Sequence, residues 1–141
     1  MTNKEKAGKI VDLMWNHDKF SDWLGIERVC LDAGYCELRM TVRNEMLNGF
    51  SIAHGGITYS LSDTALAFAS NAHGKKCVSV ETSISHVRPV REGDVLTAVV
   101  NEVSLTEKIG VYQVEVRNQN GEAVSFFKGT VYRTNGEWSL E

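Results

Sequence analysis

Apolar and polar positions change their rhythm twice along this chain. From 35 to 42 they alternate, with Cys36, Leu38, Met40 and Val42 on one side and Glu37, Arg39 and Thr41 on the other. A period of two predicts a strand with one buried face. Between 53 and 74 the period lengthens. Ile57, Leu61, Ala65, Phe68 and Ala72 recur at helical spacing, and Ala65, Ala67, Ala69 and Ala72 keep this helix slim enough to pack closely on a sheet. After Gly74 the period returns to two. Val78, Val80, Thr82 and Ile84 alternate with Ser79, Glu81, Ser83 and Ser85, and later Tyr112, Val114 and Val116 with Gln113, Glu115 and Arg117.

Turn residues punctuate these segments. Asp32-Ala33-Gly34 and Glu92-Gly93-Asp94 read as turns, and Asn120-Gly121 as a hairpin turn. Strands are expected over 26–31, 35–42, 95–103 and 123–133, besides the two alternating runs after Gly74. An N-terminal helix is expected over 4–17, with Ile10, Leu13 and Met14 on one side. Phe20, Trp23 and Leu24 follow as a hydrophobic anchor, 44–52 is an irregular lead into the long helix, and 134–141 reads as a loose tail. A hairpin, one long helix and four further strands joined by short turns make an α+β fold, with the helix laid on an antiparallel sheet that wraps it. The 141 residues read as one domain, 1–141, without repeats or linkers.

The long helix carries the candidate chemistry. Asp63 is the only formally charged residue between Gly55 and Gly74, and no Lys or Arg lies three or four residues away. A carboxylate in so apolar a stretch is costly unless it is paired or used. The bland reading is a core aspartate bonded to a hydroxyl such as that of Thr64; the sharper one is a working carboxylate. His54-Gly55-Gly56 opens the helix, where the first N–H groups lack helical partners and the dipole is positive. Two glycines let a ligand approach the backbone closely, and an oxyanion suits the place. Eight residues separate Gly55 from Asp63, about 12 Å along a helix, too far to share one small group. A second copy related by a two-fold axis, the commonest oligomeric symmetry, brings the carboxylate of one subunit to the helix start of the other.

Composition narrows the partners. A net charge of -3 and the absence of long Lys/Arg runs argue against nucleic acid. The Ala-rich helix is too short and polar to span a membrane. Cys30, Cys36 and Cys77 are odd in number and lack ligand-like spacing with histidine, as in a cytoplasmic protein with reduced thiols. The N-terminus has Lys4, Glu5, Lys6 and Lys9 and no apolar signal region. There is no P-loop, dinucleotide fingerprint or metal-ligand cluster. Asp12 and His17 have hydratase-like spacing but sit on a charged helix, and read as surface. Ser60, His54 and Asp63 lack the strained elbow of a nucleophilic serine. His17, His73 and His86 read as surface or edge histidines. Arg88 and Arg91 flank the only proline, Pro89, and are candidates to hold phosphates.

Taken together, several short motifs resemble a known family. Met46-Leu47-Asn48-Gly49, His54-Gly55-Gly56, Ser60-Leu61-Ser62-Asp63-Thr64-Ala65, Arg88-Pro89 and Glu92-Gly93-Asp94, in this order, resemble the PaaI-type hotdog-fold acyl-CoA thioesterases. The resemblance spans roughly 23–133. It implies a sheet of about six strands around a central helix, dimers that often pair into tetramers, and hydrolysis of acyl-CoA without a metal or organic cofactor. It also implies an aromatic acyl group of the phenylacetyl or hydroxyphenylacetyl kind, as in phenylacetate catabolism. By position, Asp63 matches the catalytic carboxylate and Gly55 the backbone N–H on the thioester oxygen. Asn48 and His54 match polar orienting residues, and Ser79 a water-orienting hydroxyl. Gly56, Thr64, Arg88 and Arg91 complete the expected substrate contacts. The chain departs from the pattern at Phe50, where a histidine is common, and at Ser85-His86, which replaces a more apolar pair. A non-catalytic acyl-CoA-binding module and an enoyl-thioester hydratase are the alternative readings.

Overall fold

The computed structural model describes residues 1–141. Two helices lead in. Helix α1 (Asn3–Trp15) is capped by the Thr2 hydroxyl, which accepts the Glu5 N–H at 3.0 Å. It buries Ala7, Ile10 and Val11, whereas Leu13, expected on the inner side, is exposed. Helix α2 (Lys19–Leu24) is capped by Asp18 and stopped by Gly25, whose φ of 73° is left-handed. Strands β1 (Glu27–Asp32) and β2 (Tyr35–Thr41) form a hairpin through Gly34, also left-handed at φ 73°.

A loop with one 3-10 turn leads into helix α3 (Gly55–Asn71). Strands β3 (Lys75–His86), β4 (Val95–Leu105), β5 (Ile109–Arg117) and β6 (Ala123–Glu137) follow. The six strands form one antiparallel sheet in the order β1-β2-β4-β5-β6-β3. Helix α3 packs across its inner face, touching every strand. Leu61, Ala65, Phe68 and Ala69 meet Leu38, Met40, Val114 and Phe127 in one continuous core. The Trp15 ring closes one side against Phe68, at 6.3 Å between centroids. This is the expected α+β architecture, with the hotdog arrangement of sheet and helix.

Three further local expectations fail, each for a physical reason. The segment after 133 is not a loose tail. Strand β6 continues to Glu137, and Trp138 donates its indole N–H to Asn71 Oδ1 at 3.0 Å and its backbone N–H to Gly74 O at 2.9 Å. Only Leu24 of the predicted anchor is buried. Phe20 and Trp23 stack on each other at the surface at 6.1 Å, and the Arg43 guanidinium covers Trp23. Strand β3 does not keep one period of two. Its pairing with β6 slips between Ser79 and Glu81, the mark of a bulge. Cys77 and Ser79 face the helix before the slip, and Thr82, Ile84 and His86 after it. Val78 and Val80, predicted inward, are 55% and 60% exposed.

Candidate active site

Two pockets open along α3, one at its start and one at its middle. At the start, His54 is the N-cap. Its Nδ1 accepts the Gly56 N–H at 2.9 Å, and its carbonyl accepts the Ile57 N–H at 2.9 Å. The Gly55 N–H has no acceptor within the chain. It borders a pocket of about 360 Å³ together with Asn48, Thr58, His86 and Arg88. An unspent backbone N–H at the positive end of a 17-residue helix is suited to an oxygen that carries or develops negative charge.

Asn48 shapes the wall of this pocket. Its Oδ1 accepts the backbone N–H groups of Phe50, at 2.8 Å, and Ile52, at 3.4 Å. This Asx-type closure holds the loop in which Ser51 is left-handed at φ 61°. The Nδ2 group of Asn48 is left without an intramolecular acceptor.

Asp63 lies two helical turns further on. With Ser79, Ser70, Cys77 and Val78 it lines a second pocket of about 300 Å³ that shares no residue with the first. Its carboxylate makes no hydrogen bond or ion pair within the chain. Partial burial without a compensating partner pushes its pKa above the ordinary carboxylate value. A half-buried, unpaired carboxylate of raised basicity is suited to take a proton from water or to attack an electrophilic carbon.

The structure redistributes some expected contacts. Thr64 does not bond Asp63: its hydroxyl meets Ser21 Oγ at 3.1 Å, which in turn donates to Asp18 at 2.6 Å. Thr64 therefore fastens α2 to α3 and is not placed as a substrate contact. The Gly56 N–H is taken by His54, so of the two glycines only Gly55 has a donor to offer. Arg88 and Arg91 border one surface pocket beyond Pro89. Arg88 donates to Ala123 O at 2.8 Å and lies 3.6 Å from Glu122. Ser79 lies in the Asp63 pocket.

The sequence reading missed Thr58 and His86. The buried Thr58 hydroxyl lies 3.2 Å from His86 Nδ1, and the imidazole stands beside Gly55. A signal for His86 is present in the sequence: it continues the alternation of Thr82 and Ile84 to the same face, whereas the bulge displaces only the residues before it from that pattern. The other decoys stay apart. Asp12 pairs with Arg28 at 2.7 Å on the surface of α1, and His73 bonds Glu102 at 2.6 Å.

Comparison with known proteins fixes the class. The family model for the thioesterase superfamily matches residues 50–125. The acyl-coenzyme A thioesterase PaaI of Escherichia coli K12 is 37% identical over 93% of this chain and 94% of its own. The solved structure of E. coli PaaI, a protein of the phenylacetic acid degradation operon, superposes with a TM-score of 0.95 at 35% identity, covering 98% of this chain and all of that one. A Streptococcus mutans protein, smu.793, solved bound to acetyl CoA, superposes with a TM-score of 0.78 at 25% identity, over 81% of this chain and 91% of its own. The chain belongs to the thioesterase superfamily, among the PaaI-type acyl-CoA thioesterases.

Proposed function

We propose that this thioesterase hydrolyses an aromatic acyl-CoA, of phenylacetyl or hydroxyphenylacetyl type, at sites shared between two subunits. The single observation that carries the shared site is the pair of separate pockets on one helix. Gly55, with its free N–H, and Asp63, with its free carboxylate, are eight residues apart and line no common cavity. Eight residues of helix span about 12 Å, whereas attack on a carbonyl needs the oxygen donor and the base within a few ångströms of one carbon. A two-fold partner supplies the missing half to each site. Strand β3 favours such pairing: it is 12 residues long, one of its edges is unpaired, and Val78 and Val80 lie bare upon it.

In this reading the thioester oxygen rests on the Gly55 N–H. Asp63 of the other subunit activates a water as general base, or adds to the carbonyl carbon itself and is released by water in a second step. The tetrahedral species collapses by expelling the thiolate of CoA. Asn48 and His54 hold the loop and the helix start in place, Ser79 orients the water, and Arg88 and Arg91 face the CoA phosphates. No metal or organic cofactor is called for. The protein acts in the cytoplasm as a homodimer or homotetramer; no helix is long and apolar enough to cross a membrane.

The test is a hydrolysis screen over phenylacetyl, hydroxyphenylacetyl, short-chain and long-chain acyl-CoAs, with sedimentation in parallel. The aromatic thioesters are expected to have the highest kcat/KM, and the active species to be at least a dimer. Preference for a straight-chain thioester would refute the aromatic assignment, and a fully active monomer the shared site. Binding without turnover would make the protein an acyl-CoA-binding module. Hydration of an enoyl-CoA would make it a hydratase, a reading whose Asp/His pair the central helix lacks.

A further inference from the structure

His86 ends β3 beside the start of α3, and no role above makes use of it. Its ring is held on one side only: Nδ1 lies 3.2 Å from the Thr58 hydroxyl. The other nitrogen, Nε2, faces Gly55, 3.2 Å from where a Cβ on that residue would stand. Both residues line the pocket into which the Gly55 N–H opens.

We propose that His86 is a second hydrogen-bond donor to the thioester oxygen, working beside the Gly55 N–H. The proposal rests on Gly55 being the carbonyl site. Such a donor requires one tautomer of the imidazole, with the hydrogen on Nε2. Thr58 Oγ1 has one hydrogen and two polar neighbours at 3.2 Å: it is placed to donate to Gly55 O, and it also meets His86 Nδ1, a contact in which the tautomer decides which atom donates. Gly55 O begins the helical ladder and has a backbone partner four residues on, so donation from Thr58 to Nδ1 in place of Gly55 O leaves no carbonyl unpaired, and this is the arrangement the donor role requires. Nδ1 then accepts, and the hydrogen of the neutral ring sits on Nε2, the nitrogen facing the pocket.

The distances allow one oxygen to take both donors. A Cβ lies about 2.5 Å from its own backbone nitrogen. With Nε2 3.2 Å from that Cβ position, the two nitrogens are at most about 5.7 Å apart. An oxygen at about 2.9 Å from each of two donors bridges up to about 5.8 Å. The two donors strengthen as the carbonyl oxygen becomes an oxyanion and relax when the thiolate departs. No proton changes hands at His86. Because of the β3 bulge, His86 faces the helix on the same side as Ser79, seven residues before it.

The experiment compares wild type, His86→Phe, His86→Gln and Asp63→Asn on phenylacetyl-CoA, hydroxyphenylacetyl-CoA and hexanoyl-CoA, each variant against wild type on the same thioester. Phenylalanine keeps a planar ring and removes the donor; glutamine keeps an N–H donor. One lost oxyanion donor lowers kcat by ~10²–10³-fold. We expect His86→Phe to lose kcat on that scale with KM changed less than threefold, and His86→Gln to recover at least tenfold of it. A second readout is the carbonyl stretch of 13C-labelled phenylacetyl-CoA bound to Asp63→Asn protein. It should move to higher frequency when His86→Phe is added. If kcat of folded His86→Phe stays within threefold of wild type, if the loss falls in KM alone, if glutamine restores nothing, or if the stretch does not move, the proposal is overturned. In those cases the thioesterase reading stands as long as Asp63→Asn is inactive. Full activity in Asp63→Asn would instead overturn the assignment of the site itself.

Discussion

A single methyl group added at Gly55 tests the carbonyl site without deleting any donor. Gly55 is the first residue of α3 and is not left-handed, so alanine enters without backbone strain. Glycine is worse than alanine by up to about 1 kcal/mol inside a helix, so the helix start should hold or gain stability. The cost falls on the pocket. The new Cβ stands 3.2 Å from His86 Nε2 and 3.6 Å from Cε1. Ordinary contact is near 3.6 Å, so the imidazole must withdraw by roughly 0.4 Å. It can do so, being exposed and bonded only to Thr58. If a misplacement of 1 Å costs about 10²-fold in rate, 0.4 Å costs about 6-fold, or about 1 kcal/mol of transition-state stabilisation. The assay follows release of the CoA thiol with a thiol-reactive dye, alongside thermal unfolding of the same preparations. We expect kcat reduced about 6-fold or more and a melting midpoint equal to wild type or slightly higher. A folded Gly55→Ala enzyme with kcat within twofold of wild type would show that the carbonyl is held elsewhere. A midpoint lowered by more than about 5 °C would show that the ring cannot yield as argued.

Replacing Asp63 by Asn should lower turnover by ~10²–10⁴-fold while substrate still binds, as seen by calorimetric titration. Because burial raises the Asp63 pKa, the acid limb of the wild-type kcat/KM profile should lie above the ordinary carboxylate value of about 3.9; a limb at or below it would contradict the assignment. The same shift gives a sign for stability. The penalty on the ionised carboxylate is absent below about pH 3.9 and grows as pH rises through the raised folded pKa, so Asp63→Asn should become more stable relative to wild type across that window. Mixing Asp63→Asn subunits with Gly55→Pro subunits should restore part of the activity by pairing an intact carboxylate with an intact helix start, and hybrids as inactive as their parents would rule against shared sites. Finally, Gly129→Ala would place a methyl 2.5 Å from Leu66 Cδ2 and 3.2 Å from Phe127 Cε1. Overpacking there should cost about 1–3 kcal/mol in denaturant unfolding, with kcat little changed in the folded fraction.

The architecture was open to reading because its main signals are periodic. The alternation of Cys36, Leu38 and Met40 and the helical recurrence of Leu61, Ala65 and Phe68 each report a single buried face, and all six are buried. The chemistry was legible where an oddity stood alone, as Asp63 does in an apolar helix. Elsewhere the pattern misled. A bulge adds one residue without any marker in the sequence, so the alternation that holds for Thr82 and Ile84 fails for Val78 and Val80, which lie outside. Phe20 and Trp23 are apolar yet stay outside, where they stack on each other and the Arg43 guanidinium covers Trp23. Thr64 stands beside Asp63 in sequence but points a third of a turn away, toward Ser21. Trp138 is held by Asn71 and Gly74, both far from it in the chain, a pairing that no local pattern encodes.

The slip between Ser79 and Glu81 has a consequence for how the chain can change. Ser79 and His86 are seven residues apart, an odd number, and on an unbroken strand an odd spacing sends two side chains to opposite faces. With the extra residue both turn inward, one to the Asp63 pocket and the other to the Gly55 pocket. Because each pocket completes a different site of the proposed pair, one strand serves two reaction centres. Removing one residue at the slip would restore the even beat and rotate one end of the strand out of its task. Insertions and deletions are therefore confined to the turns on either side, while substitutions within β3 can adjust one centre and leave the other alone.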